Sequence, residues 1–240
     1  MNQEQINFSE RLNHGTSPTG HEEFDKNGCL FVKNLVNSDD LYCEVPYYRG
    51  SITYRGKLNK FNYEPEELQV LGSVARYYYP PYKYIHAEVG KKIEKIIGKK
   101  LYKTYYYDRF YFPGQELDKH TDRDACEISV TINVSTNLKK KWPIFVKTPN
   151  TYADENDERL EIIEKGKELS FVTNPGDGVI YKGCERPHWR EPMPSNYRSD
   201  GIHGYLNKLR DFDDDTYYHQ IFFHYVLADG NRSHFANDTK

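Results

Sequence analysis

Residues 127–135 (EISVTINVS) alternate strictly between apolar and polar side chains. Successive side chains of an extended strand point to opposite faces, so this pattern predicts a β-strand and disfavours a helix. The apolar face carries Ile128, Val130, Ile132 and Val134. The polar face carries Ser129, Thr131, Asn133 and Ser135. Two interpretations stay open for the polar face: it lines the interior of a barrel, or it faces water in an ordinary half-exposed sheet.

Other short strands are predicted on both sides of this one. Aromatic and β-branched runs separated by Pro-Gly and Asn-Pro-Gly-Asp are typical of strands joined by tight turns. The predicted strands cover residues 28–32, 101–112, 142–147, 160–163, 168–173, 178–181 and 217–227. A long polar insertion, residues 194–215, precedes the last strand.

Two helices are predicted before residue 100. Pro65 suits the first turn of a helix over residues 65–78, because its missing N–H has no partner at that position anyway. Residues 82–98 place apolar side chains at helical spacing, and Gly98 suits the C-cap. Helices followed by many short strands indicate one α+β domain with an all-β core.

The composition restricts how this core is built. Hydrophobic residues make up 37% of the 240 residues, yet the chain holds 22 Tyr. Each Tyr buries a large ring together with a hydroxyl, so the tyrosines can fill a core and disorder is disfavoured. Clusters at residues 105–107 and 217–218 fall within or beside predicted strands, where some of these hydroxyls are expected to line a pocket.

Charge, hydropathy and cysteine spacing exclude several classes of protein. The net charge is −3, which gives no electrostatic reason to expect nucleic-acid binding. Apolar runs long enough to cross a membrane are absent from the sequence, and the first residues lack a signal-peptide profile. The four cysteines are widely spaced, which favours reduced thiols and a cytoplasmic location.

His120 and Asp122 are the first candidates for chemistry. They lie two residues apart, so on an extended strand both side chains leave the same face. A histidine from a distant strand, such as His188, would complete a set of two imidazoles and one carboxylate. That set leaves coordination positions open and suits Fe(II) oxygenase chemistry. The alternative is three solvated loop residues without a metal.

The order of several segments resembles one enzyme family. These segments are residues 109–114 (RFYFPG), 119–123 (KHTDR), 126–131 (CEISVT), 142–144 (WPI), 175–183 (PGDGVIYKG) and 188–192 (HWREP). Together they resemble the double-stranded β-helix of 2-oxoglutarate/Fe(II)-dependent dioxygenases, and most of all the prolyl-4-hydroxylase-like branch with its uncharacterised phage and bacterial members. The resemblance covers about residues 100–227.

The resemblance implies an α+β fold with a double-stranded β-helix, or jelly-roll, core and N-terminal helices packed on one sheet. We expect a single domain over residues 1–240. Residues 1–99 would form a strand and helical support, residues 100–228 the catalytic core and residues 229–240 a tail.

The resemblance also implies a cofactor and its ligands. His120, Asp122 and His188 would hold Fe(II), with 2-oxoglutarate and O2 as cosubstrates and ascorbate as a supporting reductant. Halogenating relatives replace the carboxylate with a small residue, so Asp122 favours hydroxylation.

The residue that anchors the distal carboxylate of 2-oxoglutarate is less directly indicated. Many relatives place a basic residue about ten positions after the second histidine, and that count reaches Arg198 within the polar insertion. Arg190 lies two residues after His188 and therefore on the same face of its strand, so we favour Arg190. Tyr218 is expected to support Arg190. Thr131 and Asn133 are further candidates for lining the cosubstrate pocket.

The substrate does not follow from these residues. The resemblance suggests a prolyl or other protein residue, and a free amino acid or small metabolite is the alternative. Two other hypotheses for the function stay open. One is a non-catalytic jelly-roll module that binds a glycan or protein, and the other is a cupin-type metalloenzyme that needs no 2-oxoglutarate. The sequence makes no prediction of oligomeric state.

Overall fold

The structure is a computed structural model and describes residues 19–41, 63–64, 69–70, 73–149, 165–197 and 214–238. Its helices are α1 (Thr19–Asn27), α2 (Ser38–Leu41) and α3 (Tyr82–Ile97). Its strands are β1 (Cys29–Val32), β2 (Tyr63–Glu64), β3 (Val74–Tyr77), β4 (Leu101–Tyr111), β5 (Leu117–His120), β6 (Ile128–Thr136), β7 (Ile144–Thr148), β8 (Lys167–Phe171), β9 (Gly178–Tyr181), β10 (His188–Arg190) and β11 (Tyr218–Leu227). Short 3₁₀ turns lie at Asp124–Cys126 and Ser233–Phe235.

The strands form two antiparallel sheets. The larger has the order β1-β9-β6-β11-β4-β3-β2, and the smaller has the order β5-β10-β7-β8. Apolar side chains from both sheets meet between them: Phe31 of the larger sheet stacks on Phe171 of the smaller, and Leu117 packs in one cluster with Tyr111. Two sheets with a shared interior form the jelly roll that the sequence predicts.

Helix α3 covers the outer face of the larger sheet. Its buried residues Val89, Ile93 and Ile97 pack in one core cluster with Val130 and Ile132 of β6. Gly98 ends the helix in the left-handed region (φ 67°), and its N–H donates to Glu94 O. The predicted helix over residues 82–98 is therefore confirmed, as is the C-cap.

The buried polar face of β6 decides between the two interpretations left open above. Ser129, Thr131 and Asn133 are at most 2% exposed, so this face lines the interior between the sheets. From Ile128 to Val134 both faces of the strand are buried, because helix α3 covers the apolar side. The polar residues of β6 are thus available to a buried site.

The helix predicted over residues 65–78 is wrong where the structure describes it. Val74–Tyr77 forms strand β3, which pairs with β4. The ring of Tyr77 on β3 stacks on the ring of Tyr107 on β4, with 4.9 Å between the centroids. Arg76 on β3 donates two hydrogen bonds to the carboxylate of Asp108 on β4. These cross-strand contacts outweigh a weak local helix preference.

Most other predicted strands lie within two residues of the observed bounds. The strand predicted over residues 160–163, and residues 198–213 of the polar insertion, lie outside the described residues. Among the helices that the structure describes, none combines the length and apolar character needed to span a bilayer.

Candidate active site

Strand pairing brings the two histidines together. His120 ends β5 and His188 begins β10, and they are direct partners in the antiparallel register. Their ring centroids lie 4.3 Å apart. Asp122 follows β5 after one residue, and its Oδ1 lies 3.5 Å from the Nε2 of each imidazole. One donor atom from each residue thus falls within 4.8 Å of the others.

Hydrogen bonds to carbonyl groups set which nitrogen of each imidazole is free. His120 Nδ1 lies 2.7 Å from Asp118 O, and His188 Nδ1 lies 2.9 Å from Arg186 O. Because a carbonyl only accepts, each Nδ1 carries the proton and each Nε2 offers a lone pair. The Gln69 amide nitrogen lies 2.9 Å from His120 Nε2 and donates to that lone pair here.

The Asp122 carboxylate is held from the opposite side. Ser129 Oγ donates to Asp122 Oδ2 at 3.0 Å, and the Asp122 N–H donates to Gly183 O at 2.8 Å. A Cβ at Gly183 would lie 2.5 Å from Asp122 Oδ2 and 2.7 Å from Ser129 Oγ. Glycine is therefore favoured at position 183, because a side chain there would collide with the backbone oxygen of Cys126 as well as with Asp122 Oδ2 and Ser129 Oγ.

Electrostatics keep the carboxylate ionised. Burial alone would raise the pKa of Asp122, but the nearby His188 and His120 imidazoles outweigh burial and hold this pKa well below its usual range. Burial opposes protonation of His120, whereas its contacts with Asp122 prevail and raise the pKa of the imidazole. An anionic oxygen between two imidazole lone pairs is a donor set suited to a divalent metal.

The donor chemistry fits Fe(II). Two imidazole nitrogens and one carboxylate oxygen on one side of an ion leave positions open for other ligands. Both Nδ1–H groups have backbone acceptors, as histidine ligands require for orientation. The residues present therefore match the iron site implied by the sequence.

Arg190 lies two residues after His188 on β10 and, like His188, is 2% exposed. Its Nη1 donates to Trp142 O and its Nη2 to Gln220 Oε1, both at 2.8 Å, while its buried Nε has no hydrogen-bond partner in the part of the chain that the structure describes. Among the described residues, carboxylates do not pair with Arg190; Glu191, for instance, accepts from Trp189 Nε1. A buried guanidinium that lacks a counterion fits an anionic ligand.

The other predicted cosubstrate residues join Arg190 in one network. Tyr218 OH lies 3.4 Å from Arg190 Nη2, and Gln220 links Arg190 to the Thr131 hydroxyl. Tyr218 OH also bonds Thr173 Oγ1 at 2.6 Å, and Asn133 Nδ2 donates to Thr173 O. Arg198 lies outside the described residues.

Two further groups lie near the site, and of these Arg109 was not predicted from the sequence. Arg109 is fully buried, and its Nη2 donates to Gln69 Oε1 at 2.9 Å, which connects it to His120. His224 bonds Ser129 Oγ at 2.9 Å through Nδ1. Burial lowers the pKa of His224 to about 4, and the Asp122 charge opposes this only in part. The available signal was their position on the strands. Arg109 shares one face of β4 with Tyr107, and His224 shares one face of β11 with Gln220.

Several solved structures share the fold of this chain. A Pseudomonas putida prolyl-4-hydroxylase matches with a TM-score of 0.53 and 11% identity, over 87% of this chain and 97% of that one. HygX from Streptomyces hygroscopicus, with nickel, 2-oxoglutarate and hygromycin B bound, matches with a TM-score of 0.56 and 10% identity, over 89% and 88%. The alpha-ketoglutarate-dependent epimerase SnoN from nogalamycin biosynthesis gives 0.57 and 7%, over 88% and 84%.

These matches confirm the resemblance at the level of the fold. The chain has the jelly-roll fold of 2-oxoglutarate- and Fe(II)-dependent oxygenases, including a prolyl-4-hydroxylase. No family model and no curated protein matches the sequence. Because the structural neighbours include an epimerase as well as a hydroxylase, the fold alone leaves the reaction open.

Proposed function

We propose that this protein is an Fe(II)- and 2-oxoglutarate-dependent oxygenase that hydroxylates an unactivated C–H bond. The observation that carries the proposal is the arrangement of His120, Asp122 and His188 in the same interior as Arg190, a buried cation with no carboxylate partner in the described residues. A set of three metal-ligating side chains in the same interior as a buried guanidinium suits a metal together with a chelating dicarboxylate.

His120, Asp122 and His188 would hold the iron. When bound there, Fe(II) supplies O2 activation coupled to decarboxylation of 2-oxoglutarate to succinate. The chain contributes two imidazoles already in the tautomer that presents Nε2, and a carboxylate that is already ionised. Because the Nδ1 protons already have their acceptors, metal binding requires only that His120 Nε2 be free of a proton and released by Gln69.

Arg190 would bind the distal carboxylate of 2-oxoglutarate. Its guanidinium is fixed by Trp142 O and Gln220 Oε1, and its plane is flanked by the rings of Trp142 (4.4 Å) and Tyr218 (4.8 Å). The aromatic rings exclude water and so strengthen a charge-assisted bond to the carboxylate. Thr131 and Asn133 would support this anchor through Gln220 and Thr173.

Hydroxylation is the proposed reaction because Asp122 provides the carboxylate ligand that halogenating relatives lack. The proposed substrate is a prolyl or other residue within a protein, in line with the prolyl-4-hydroxylase among the structural neighbours. Free amino acids and small metabolites form the second substrate class to be tested.

The test is turnover of 2-oxoglutarate by the full chain. With Fe(II), ascorbate and O2, we expect succinate to form slowly without substrate and faster when a peptide library containing proline is added. Stimulation only by free amino acids or metabolites would contradict the protein substrate. Succinate that never exceeds the level of a His188→Ala control would contradict the oxygenase itself, and metal binding without 2-oxoglutarate binding would indicate a cupin-type metalloenzyme.

A further inference from the structure

His224 lies in the interior and is connected to Asp122 through one intervening residue, Ser129. Its side chain is buried, and its ring packs against the rings of Tyr105 and Tyr107, with centroids 4.6 and 5.8 Å away. Its Nδ1 lies 2.9 Å from Ser129 Oγ, which in turn lies 3.0 Å from Asp122 Oδ2. Its Nε2 has no hydrogen-bond partner among the described residues.

The direction of these two hydrogen bonds follows from what each group can donate. Ser129 has one hydroxyl proton, and its neighbours are Asp122 Oδ2, His224 Nδ1 and, at 3.3 Å, Cys126 O. An ionised carboxylate only accepts, and leaving its buried oxygen without a donor is costly. Ser129 therefore donates to Asp122, and its oxygen must accept from His224, whose Nδ1 carries the proton.

We propose that His224 is a positioning residue that acts on the metal site through Ser129. The N–H of His224 orients the Ser129 hydroxyl, and the hydroxyl holds Asp122 Oδ2, so that Oδ1 faces both imidazoles. Without His224, no donor fixes the Ser129 oxygen, and the hydroxyl divides its time between Asp122 Oδ2 and Cys126 O, which weakens its hold on the carboxylate. This inference rests on the proposed function only in taking Asp122 as a metal ligand.

The position of Asp122 explains why such support is needed. Asp122 lies in the turn between β5 and the 3₁₀ segment Asp124–Cys126, so strand pairing does not fix its side chain. Its two oxygens are chemically equivalent, and both would reach a metal if the carboxylate rotated. Holding Oδ2 keeps the carboxylate as a ligand through one oxygen, which leaves positions open for cosubstrates.

The experiment is calorimetric titration of Co(II), a stable substitute for Fe(II), into the full chain and four variants. We expect Ser129→Ala and His224→Leu to weaken Co(II) binding about 10- to 100-fold. His224→Asn keeps an N–H donor near the Nδ1 position and should recover most of the affinity. Because both residues act through one chain of bonds, Ser129→Ala/His224→Leu should bind no more weakly than Ser129→Ala alone.

Control variants distinguish a positioning role of His224 from a loss of folding and from the absence of a metal site. Thr104→Val also removes a buried hydroxyl, one that donates to Ala125 O at 2.8 Å, and should keep wild-type affinity. Melting temperatures of the metal-free variants record stability independently. If wild type binds no Co(II), the metal site fails, and the positioning role fails with it.

Three results would overturn the positioning role while the metal site stands: unchanged affinity in His224→Leu, additive losses in the double variant, or no recovery in His224→Asn. A fourth contradicting result is a thiolate-to-cobalt absorption band that disappears in Cys126→Ser. One donor atom each of Asp122, Cys126 and His224 also lies within 4.8 Å of the others, and such a band would make His224 a ligand instead.

Discussion

His120 and His188 are register partners across the β5–β10 pair, with their ring centroids 4.3 Å apart. The smaller sheet therefore supplies both imidazoles, whereas Ser129, which holds Asp122, belongs to the larger sheet. The geometry of the proposed metal site thus depends on how closely the two sheets approach each other. Gly183 lies where the two sheets approach, beside Asp122 and Ser129.

Gly183→Ala is expected to weaken metal binding by at least about 10-fold, because the added Cβ would collide with the backbone oxygen of Cys126 and lie 2.5 Å from Asp122 Oδ2, so that the carboxylate must move. Calorimetry with Co(II) measures the effect. Gly230→Ala is the matched control, since its Cβ would meet nothing closer than 3.0 Å. Equal affinity in the two variants would mean that the turn carrying Asp122 adapts without loss.

Arg190→Met is expected to raise the dissociation constant of 2-oxoglutarate by roughly 10- to 150-fold, the equivalent of about 1.5–3 kcal/mol for hydrogen bonds to a charged group. Binding of the metal alone should be unaffected, because Arg190 does not contact the three ligands. Titration of 2-oxoglutarate into the Co(II)-loaded protein gives both values.

Arg198→Met and Arg109→Met are the comparison variants for this anchor. Arg198→Met should leave 2-oxoglutarate affinity unchanged. A large loss confined to Arg198→Met, or to Arg109→Met, would transfer the anchor to that residue.

Tyr218→Phe is expected to weaken 2-oxoglutarate binding by only a few-fold. The hydroxyl lies 3.4 Å from Arg190 Nη2 but 2.6 Å from Thr173 Oγ1, so it steadies the pocket wall more than it holds the guanidinium. The same titration measures this effect. A loss as large as that of Arg190→Met would show that Tyr218 binds the ligand itself.

The sequence was informative where local pattern decides the outcome. Strict alternation identified β6 and its two faces, and apolar spacing with Gly98 identified α3. Alternation did not say which face was inward, because that depends on where α3 packs. The helix predicted over residues 65–78 was wrong because pairing with β4 overrides local preference.

The residues proposed as ligands were indicated by the sequence, whereas their hydrogen-bond partners were not. The spacing of His120 and Asp122 was one indication, although Asp122 lies in the turn after β5 and not on the strand that the spacing argument assumed. The complete set with His188 was implied by the family resemblance. Strand register brings Ser129, His224 and Arg109 to the site, and strand register cannot be predicted from a single sequence. The need for glycine at position 183 follows from how close a Cβ there would lie to Asp122, and only a folded structure provides that distance.

His86 predicts how stability depends on pH. Burial lowers the pKa of His86 from 6.5 to about 3, and its Nε2 donates to His224 O. Below pH 6.5 the unfolded chain takes up a proton at His86 that the folded chain does not, so unfolding free energy falls toward pH 3. The loss is at most about 1.4 kcal/mol per pH unit from this group.

Denaturant unfolding of the metal-free protein between pH 7 and pH 4 measures this slope. His86→Gln keeps a donor but does not titrate, so its slope should be shallower than that of wild type. His234→Gln, at an exposed position, is the control and should keep the wild-type slope. Parallel curves for wild type and His86→Gln would contradict the buried, neutral state of His86.

The most direct measurement of the central claim is a sequential calorimetric titration of the full chain under anaerobic conditions, first with Fe(II) and then with 2-oxoglutarate. We expect one Fe(II) per chain, 2-oxoglutarate binding that requires the metal, and loss of both in His188→Ala. A wild-type protein that binds no Fe(II), or that binds Fe(II) equally well in His188→Ala, would contradict the account.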